Sequence, residues 1–152
     1  MTPNALVTPD LGEMDRVYRF GKGLDGNTVL KRGWGEPEHG FVWSEGRAGL
    51  VVLPALPGNN TLVITLWGYV PAGAAAQDVL IFVDGSLKGC FEVHQRATVN
   101  VSHDNAVGAD KLELLFYLPS ATSPMQAEGM PDARRLGIAL ASIAIIAGAT
   151  KR

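Results

Sequence analysis

Cysteine and charge are both scarce in this sequence. Cys90 is the single cysteine among 152 residues, and charged residues make up only 18% of the chain. One thiol cannot close a disulfide within the chain or supply a multi-cysteine metal site, so the sequence predicts a fold without covalent cross-links in a reducing, cytoplasmic compartment. Because 47% of the residues are hydrophobic, the composition is that of a packed globular protein and excludes a disordered one.

Basic patches and long apolar runs are also missing. The 13 Lys and Arg residues are spread along a chain of net charge -2, without the basic stripe that a nucleic-acid binder needs. The opening MTPNALVTPDLG lacks a basic region followed by an apolar core, so it does not resemble a secretory signal. The longest apolar stretch, residues 138–149, spans about twelve residues, well short of the roughly twenty of a transmembrane helix. We therefore expect no membrane span and no nucleic-acid partner.

Glycine and proline, in contrast, are abundant and regularly spaced. The 18 Gly and 9 Pro residues interrupt segments rich in Val, Ile, Leu, Phe and Thr about every ten residues, which is typical of all-β domains. Gly-rich connections of uneven length favour a jelly-roll β-sandwich of about nine strands in two antiparallel sheets. We expect one domain over residues 1–152, frayed at about 1–12 and 149–152. The predicted strands are 18–20, 41–44, 50–53, 61–69, 79–83, 86–92, 97–101, 111–118 and 138–146.

Two of these strand predictions rest on local signals of unequal strength. Asp84-Gly85 separates two apolar runs and readily adopts the positive φ angles of a type I′ hairpin turn. The alanine-rich segment 138–146 is also compatible with a helix, but its isoleucines and the preceding Arg-Arg-Leu-Gly favour a buried closing strand.

The densest group of polar and aromatic residues is segment 33–47, which reads GWGEPEHGFVWSEGR. Its glycines and Pro37 indicate a shaped loop that leads into a strand, and functional side chains concentrate on such loops. In the structural interpretation Trp43 faces inward as a core aromatic and Trp34 covers one end of the sandwich. In the functional interpretation an aromatic face stacks on a sugar while nearby charged groups bind its hydroxyls. The candidate ligand-binding residues of this segment are Trp34, Glu36, Glu38, His39 and Arg47.

A second candidate is the long segment 123–137, just before the last strand. A connection of this length is uncommon without a function. Asp132 and Arg134 either clamp the loop by hydrogen bonds to the backbone and to each other, or place Arg134 beside Trp34 or Glu36 in the ligand site. Both residues complete the set of candidate ligand-binding residues.

The motif GWGEPEHGFVWSEGRAGL, with SP and D-x-R-x-LGIAL-x-SI late in the chain, resembles a bacterial β-sandwich domain appended to glycosyltransferases. The similarity extends over about residues 18–146. It implies a domain like carbohydrate-binding modules, found in proteins that build bacterial surface polysaccharides, and it implies no known reaction. The matching positions are Gly33, Trp34, Pro37, Glu38, Gly40, Trp43, Ser44, Gly46, Ser123, Pro124, Asp132, Arg134, Leu136 and Gly137.

Catalysis and metal binding receive less support from the residues. Glu36 and Glu38 could approach the carboxylate spacing of a glycoside hydrolase, but both lie on one loop and nothing identifies the opposite wall of a cleft. We therefore predict no catalytic residues and no enzyme. The three histidines are scattered, which disfavours zinc. Loop oxygens from Asp25, Asn27 and Asp132 could form a structural calcium site of the kind that β-sandwich modules use.

The leading hypothesis is a noncatalytic carbohydrate-binding or accessory domain linked to bacterial polysaccharide synthesis, with a carbohydrate or a glycosyltransferase as its partner. The alternative is a structural or assembly protein that uses the same aromatic and arginine-rich surface for contact with another protein or with its own copies. Aromatic residues and Arg are enriched at both kinds of surface.

Overall fold

A computed structural model describes residues 15–147, so the frayed ends expected at 1–12 and 149–152 lie outside the described residues. This part of the chain forms nine β-strands, a short 3-10 helix Asp25–Val29 and a single-turn helix, α1, Pro124–Glu128. The strands are β1 Arg16–Arg19, β2 Val42–Glu45, β3 Ala48–Pro54, β4 Gly58–Gly68, β5 Gln77–Val83, β6 Ser86–Val93, β7 Ala97–Asn105, β8 Lys111–Tyr117 and β9 Leu136–Ala147.

The strands form two antiparallel sheets that face each other. In the first sheet β9 is central: β4 pairs along one of its edges, with β7 beyond it, while β1 and β2 pair with successive parts of the other edge. The second sheet has the order β3-β8-β5-β6. The chain changes sheet at every connection between successive strands except β1–β2 and β5–β6, so neighbours in a sheet are mostly distant in sequence. The predicted all-β sandwich with about nine strands in two antiparallel sheets is confirmed.

The core fills the space between the sheets, because each strand alternates inward and outward residues. Leu62, Ile64 and Leu66 of β4 are fully buried, whereas Val63 and Trp67 between and after them are only half-buried. The inward residues of the second sheet include Val51, Ile81 and Phe116, all fully buried. Large-to-small substitutions at such positions cost about 2–5 kcal/mol each, so this layer sets the stability of the sandwich.

All nine predicted strands are confirmed, and the closing segment predicted as strand or helix is strand β9. The Asp84-Gly85 turn is confirmed as well, since both residues have positive φ angles, 48° and 84°. The two short helices were not predicted. Helix α1 begins after Ser123, whose side chain accepts a hydrogen bond from the Gln126 N–H at 3.0 Å.

The inward orientation predicted for Trp43 is wrong. Val42 and Ser44 are the buried residues of β2, and Trp43 between them is half-buried on the outer face of the first sheet. Ser44 is held inside because its Oγ accepts hydrogen bonds from the N–H groups of Gly137, at 3.2 Å, and Ile138, at 2.9 Å. With Ser44 fixed inward, the two-residue period of the strand forces Trp43 outward.

Within residues 15–147, no helix has the length and apolar character needed to cross a membrane.

Candidate functional site

Four aromatic side chains meet on the outer face of the first sheet, and we call them the aromatic cluster: Phe41, Trp43, Trp67 and Tyr69. The Phe41 ring centroid lies 5.0 Å from that of Trp67 and 5.7 Å from that of Trp43. Trp43 in turn meets Tyr69 edge to face at 6.3 Å. All four residues are half-buried, so parts of their rings remain open to solvent.

Strand pairing explains why these rings meet. Trp43 of β2 and Trp67 of β4 both pair with Ala139 of β9, so the three residues form one row across the sheet. Ala139 is completely buried, because a methyl group between two indoles leaves room for the larger rings to close over it. Phe41 and Tyr69 lie two residues from Trp43 and Trp67, respectively, and two-residue spacing puts them on the same face.

Arg96 extends the aromatic cluster at the β7 side. Its guanidinium carbon lies 5.4 Å from the centre of the Trp67 ring, within the range of a cation–π contact, which is worth about 0.5–1 kcal/mol at an exposed site. Arg96 itself is exposed. This contact holds a cation beside the rings while leaving its outer side in water.

The other side of the aromatic cluster carries an acidic group of residues around Arg134. Asp132 accepts hydrogen bonds from the Arg134 side chain at 3.0 Å and 2.7 Å and from its backbone N–H at 3.0 Å. These bonds lower the pKa of Asp132 to about 2 and raise the pKa of Arg134. A Glu38 carboxylate oxygen lies 3.7 Å from the Arg134 guanidinium, and Glu45 also acts on Arg134 electrostatically. Arg134 is thus surrounded by carboxylates.

Tyr69 links the aromatic cluster to helix α1. Its hydroxyl donates to Glu128 Oε1 at 2.8 Å, and the other Glu128 oxygen accepts from the Ala72 N–H at 3.2 Å. Partial burial, this hydrogen bond and the nearby charges of Glu128 and Asp132 raise the pKa of Tyr69 to about 12. The phenol therefore stays neutral and donates to Glu128 at physiological pH.

The structure brings together three of the seven residues predicted for the site, namely Glu38, Asp132 and Arg134. The predicted clamp between Asp132 and Arg134 is confirmed, and the residue of the loop in segment 33–47 that approaches Arg134 is Glu38 instead of the expected Trp34 or Glu36. Glu36 and His39 are exposed on that loop. Arg47 is exposed just before β3, where its carbonyl accepts a hydrogen bond from the Leu118 N–H at 2.7 Å.

Trp34 packs against the core. Its indole N–H donates to the Leu50 carbonyl at 3.0 Å, and its ring meets Phe116 edge to face at 5.8 Å. The preceding Gly33 has a φ of 91°, and a Cβ there would collide with the Ala48 carbonyl oxygen, so the Gly-Trp pair is required for this packing. Trp34 is half-buried like the rings of the aromatic cluster, but its indole N–H and its ring are both used to pack against the second sheet.

Two of the three side chains expected for a calcium site, Asn27 and Asp132, are used for other contacts. The Asn27 amide accepts from the Gly21 N–H at 3.1 Å and donates to the Gly21 carbonyl at 2.7 Å, and Asp132 is held by Arg134. Across residues 15–147, no three His, Cys, Asp or Glu side chains lie close enough together to hold a metal ion.

Trp67, Tyr69, Phe41, Arg96 and Glu128 were not predicted for the site. The sequence carried a signal for the three aromatic residues among them, because Phe-x-Trp and Trp-x-Tyr each place two aromatic residues on one face of a strand. The alternation of Leu62, Ile64 and Leu66 also directs Trp67 to the opposite face.

The outer face of the second sheet is apolar in its middle, between the charged pair Asp78–Glu92 on one side and Glu113 on the other. Two rows cross all four strands: Leu50, Leu115, Phe82 and Leu87 in one, and Ala48, Tyr117, Leu80 and Cys90 in the other. Leu87 and Tyr117 are 51% and 38% exposed, and Cys90 is a free, exposed thiol. We call these eight residues the apolar rows.

Comparison with solved structures shows the same fold in parts of much larger proteins. The chain is similar to a family GH115 4-O-methyl-α-glucuronidase, BtGH115A, with specificity for decorated arabinogalactans (TM-score 0.59, 10% identity, 94% of this chain and 19% of that one). It is also similar to the Podospora anserina GH26-CBM35 β-(1,4)-mannanase (TM-score 0.52, 12% identity, 91% of this chain and 28% of that one). A third similar structure is dimeric latent PorU from Porphyromonas gingivalis (TM-score 0.53, 9% identity, 86% of this chain and 12% of that one). The chain spans less than a third of each of these proteins.

None of the curated proteins matches this sequence. A family model described as a domain of unknown function (DUF7024) matches residues 29–147, which include eight of the nine strands, the aromatic cluster and the Asp132–Arg134 pair. The chain belongs to this family.

Proposed function

We propose that the chain is a noncatalytic carbohydrate-binding domain whose ligand lies on the aromatic cluster. The observation that carries the proposal is the meeting of Phe41, Trp43, Trp67 and Tyr69 on one outer sheet face, half-open to solvent. An aromatic ring can pack against the apolar C–H side of a sugar, while a few polar groups fix the orientation of the ligand.

The polar groups beside the aromatic cluster suit binding better than hydrolysis. Glu38 and Glu128 present carboxylate oxygens that can accept hydrogen bonds from hydroxyls. A hydrolase needs a general acid with a raised pKa, whereas the contact with Arg134 lowers the pKa of Asp132 to about 2. The fold also supports the proposal, since it recurs within a glucuronidase and within a mannanase that carries a CBM35.

Within this proposal, the biological setting is the synthesis of bacterial surface polysaccharides, with a glycosyltransferase as partner and the cytoplasm as location. The support is the motif resemblance over residues 18–146 and the exposed free thiol of Cys90, which suits a reducing compartment. A single open site of this kind predicts a dissociation constant on the order of 1 mM to 1 μM.

The test is a glycan-array screen of the purified protein, followed by titration of Trp43→Ala with the glycan that binds. Removing the central ring of the aromatic cluster should weaken binding at least tenfold, since buried aromatic anchors contribute about 2 kcal/mol or more to interfaces. Because Trp43 lies outside the core, its loss should cost clearly less stability than the roughly 3–5 kcal/mol of a core tryptophan.

Tyr117→Ala is the matched control, because it removes a partly exposed aromatic ring from the opposite sheet. It should bind a short oligosaccharide of that glycan, which spans one site, like the wild type. Absence of binding to every glycan, or equal binding by Trp43→Ala, would overturn the proposal.

The second candidate function is self-association, which the apolar rows favour. We take a second copy of the chain as the partner. Both rows are uncharged, so they offer no charge pattern that would select a different surface. A two-fold contact, in contrast, pairs a patch with itself. At ordinary strand spacings the rows cover on the order of 300 Å² in plan. That is less than half of the roughly 800 Å² per partner of a standard interface, so it predicts a weak dimer, measured by sedimentation across a concentration series.

A further inference from the structure

Arg96 is the cation of the aromatic cluster whose hydrogen-bonding groups are unused. Its guanidinium lies against the Trp67 ring, and within residues 15–147 it forms no hydrogen bond or ion pair. A guanidinium has five N–H donors in a planar fork that matches a carboxylate in two-point contact. Stacking on the indole already restricts this fork, so less freedom is lost when it binds an anion.

Arg134 does not offer the same chemistry. Its side chain is held by two hydrogen-bonded oxygens of Asp132, and Glu38 approaches it from a second direction at 3.7 Å. An anionic ligand group near Arg134 would meet Asp132, Glu38 and Glu45 as well, and like charges at that distance repel. The acidic group therefore directs an anion away from the Tyr69 end of the aromatic cluster.

The surroundings of Arg96 are polar and carry no acid in the neighbouring row. Thr98 follows two residues later on the same face, with its hydroxyl 3.5 Å from that of Thr65, and Thr65 pairs with Ser142 of β9. Arg19 of β1 pairs with Ser142 and is exposed at the far end of this row. Hydroxyls and cations thus continue the face beyond Trp67.

We propose that the ligand is an acidic glycan, and that Arg96 is the residue that selects it by binding a sugar carboxylate while a neighbouring ring packs on Phe41 and Trp43. This inference rests on the proposed function and specifies the ligand class of the same site. It makes Arg96 a specificity residue, and it assigns the aromatic rings the part of binding that does not depend on ligand charge.

The experiment uses uronate polymers, each beside its own carboxyl-reduced, neutral form: polygalacturonate, alginate, hyaluronan and xanthan. Affinity electrophoresis and calorimetry compare the wild-type protein with Arg96→Gln, Arg96→Lys and Arg32→Gln. Arg32 is exposed beside β3, away from the aromatic cluster, and its replacement makes the same change in charge. Dextran sulfate beside dextran reports attraction by charge alone.

We expect the wild-type protein to bind at least one uronate polymer. Its affinity should fall about tenfold or more when the carboxyl groups of the polymer are reduced or when Arg96 is replaced by Gln, because either change removes a two-point charged hydrogen bond. Arg96→Lys should retain only part of the affinity, because an ammonium lacks the planar fork. Arg32→Gln should bind like the wild type.

Three other results would each overturn the inference. Equal or tighter binding of the neutral forms would reject an acidic ligand while leaving carbohydrate binding intact. Equal losses of affinity in Arg96→Gln and Arg32→Gln would show that the net charge of the protein alone causes the binding. Binding of dextran sulfate without preference for a uronate would show the same. Binding to neither set of polymers, together with a negative glycan array, would overturn the proposed function itself.

Discussion

The pair Asp132 and Arg134 shows what a short polar spacing in a sequence can predict. Two opposite charges two residues apart in a loop suggested a clamp, and the structure has that clamp, with the Asp132 carboxylate bound by the Arg134 side chain and backbone. The approach of Glu38 to Arg134 could not be predicted, because it joins residues almost a hundred positions apart.

The Asp132–Arg134 clamp makes stability depend on pH in a defined range. The folded-state pKa of Asp132, about 2, is below its ordinary value of 3.8, so the clamp stabilises the fold fully above about pH 4 and less as the pH falls towards 2. Asp132→Asn should therefore be less stable than the wild type at neutral pH, and this difference should shrink between pH 4 and 2. Denaturant titrations at a series of pH values measure it. A difference that stays constant down to pH 2 would contradict the assignment.

Trp43 shows why burial could not be read from residue type. A large aromatic residue at the start of a strand suggested the core, yet its small polar neighbour Ser44 is the one inside. The decisive contacts of Ser44 are with Gly137 and Ile138, which are far away in sequence. The size and hydrophobicity of Trp43 and Ser44 do not predict these long-range hydrogen bonds, so they do not predict which of the two residues is buried.

At the scale of elements, the junction of β2 and β9 depends on Ser44. The register between the strands shifts between Trp43 and Glu45, and at this irregularity the Ser44 hydroxyl binds two buried backbone N–H groups. Ser44→Ala should destabilise the protein by about 2–4 kcal/mol, since each unsatisfied buried donor costs about 1–3 kcal/mol. Thermal or denaturant unfolding measures the change.

Ser102→Ala serves as the control for this substitution, because Ser102 is an exposed serine in β7 and its loss should change stability by less than about 0.5 kcal/mol. If Ser44→Ala were as stable as Ser102→Ala, the two hydrogen bonds would have no role in holding β2 against β9.

Strands were easier to predict than helices for a physical reason. Each strand extends over several residues between turn residues, so alternation and turn chemistry support one another, as at Asp84-Gly85. Helix α1 has only five residues and cannot show a helical period. Its signal lay in Ser123 and Pro124, a capping residue followed by proline at the first helical position.

At the scale of the whole molecule, the site depends on which strands become neighbours. The Phe-x-Trp pair lies at the start of β2 and the Trp-x-Tyr pair at the end of β4, with Phe41 and Tyr69 just outside these strands. Only the pairing of β2 and β4 with opposite edges of β9 brings the two pairs together. Three strand segments far apart in sequence must meet before the aromatic cluster exists. Periodicity predicts the face of each residue within its strand, whereas the order of strands depends on long-range packing.

The sandwich separates its two notable surfaces, and this separation leads to a prediction about multivalent ligands. The aromatic cluster lies on the outer face of the first sheet and the apolar rows on the outer face of the second, so a dimer formed through the rows would leave both aromatic clusters free. Two sites on one particle bind a long polymer more tightly than either does alone, often by a hundredfold or more. Leu87→Glu places a charge at the β6 end of one apolar row and should make the protein monomeric.

Leu87→Glu should accordingly lower the apparent affinity for a long polysaccharide by roughly a hundredfold, while a short oligosaccharide that spans one site binds as before. Sedimentation velocity and calorimetry on the same preparations measure both effects. Val107→Glu is the control, because Val107 is 89% exposed in the loop between β7 and β8, away from both surfaces. Loss of affinity for the short oligosaccharide in Leu87→Glu would show that the two sheet faces are coupled. A wild-type protein that remains monomeric at every concentration would exclude the dimer.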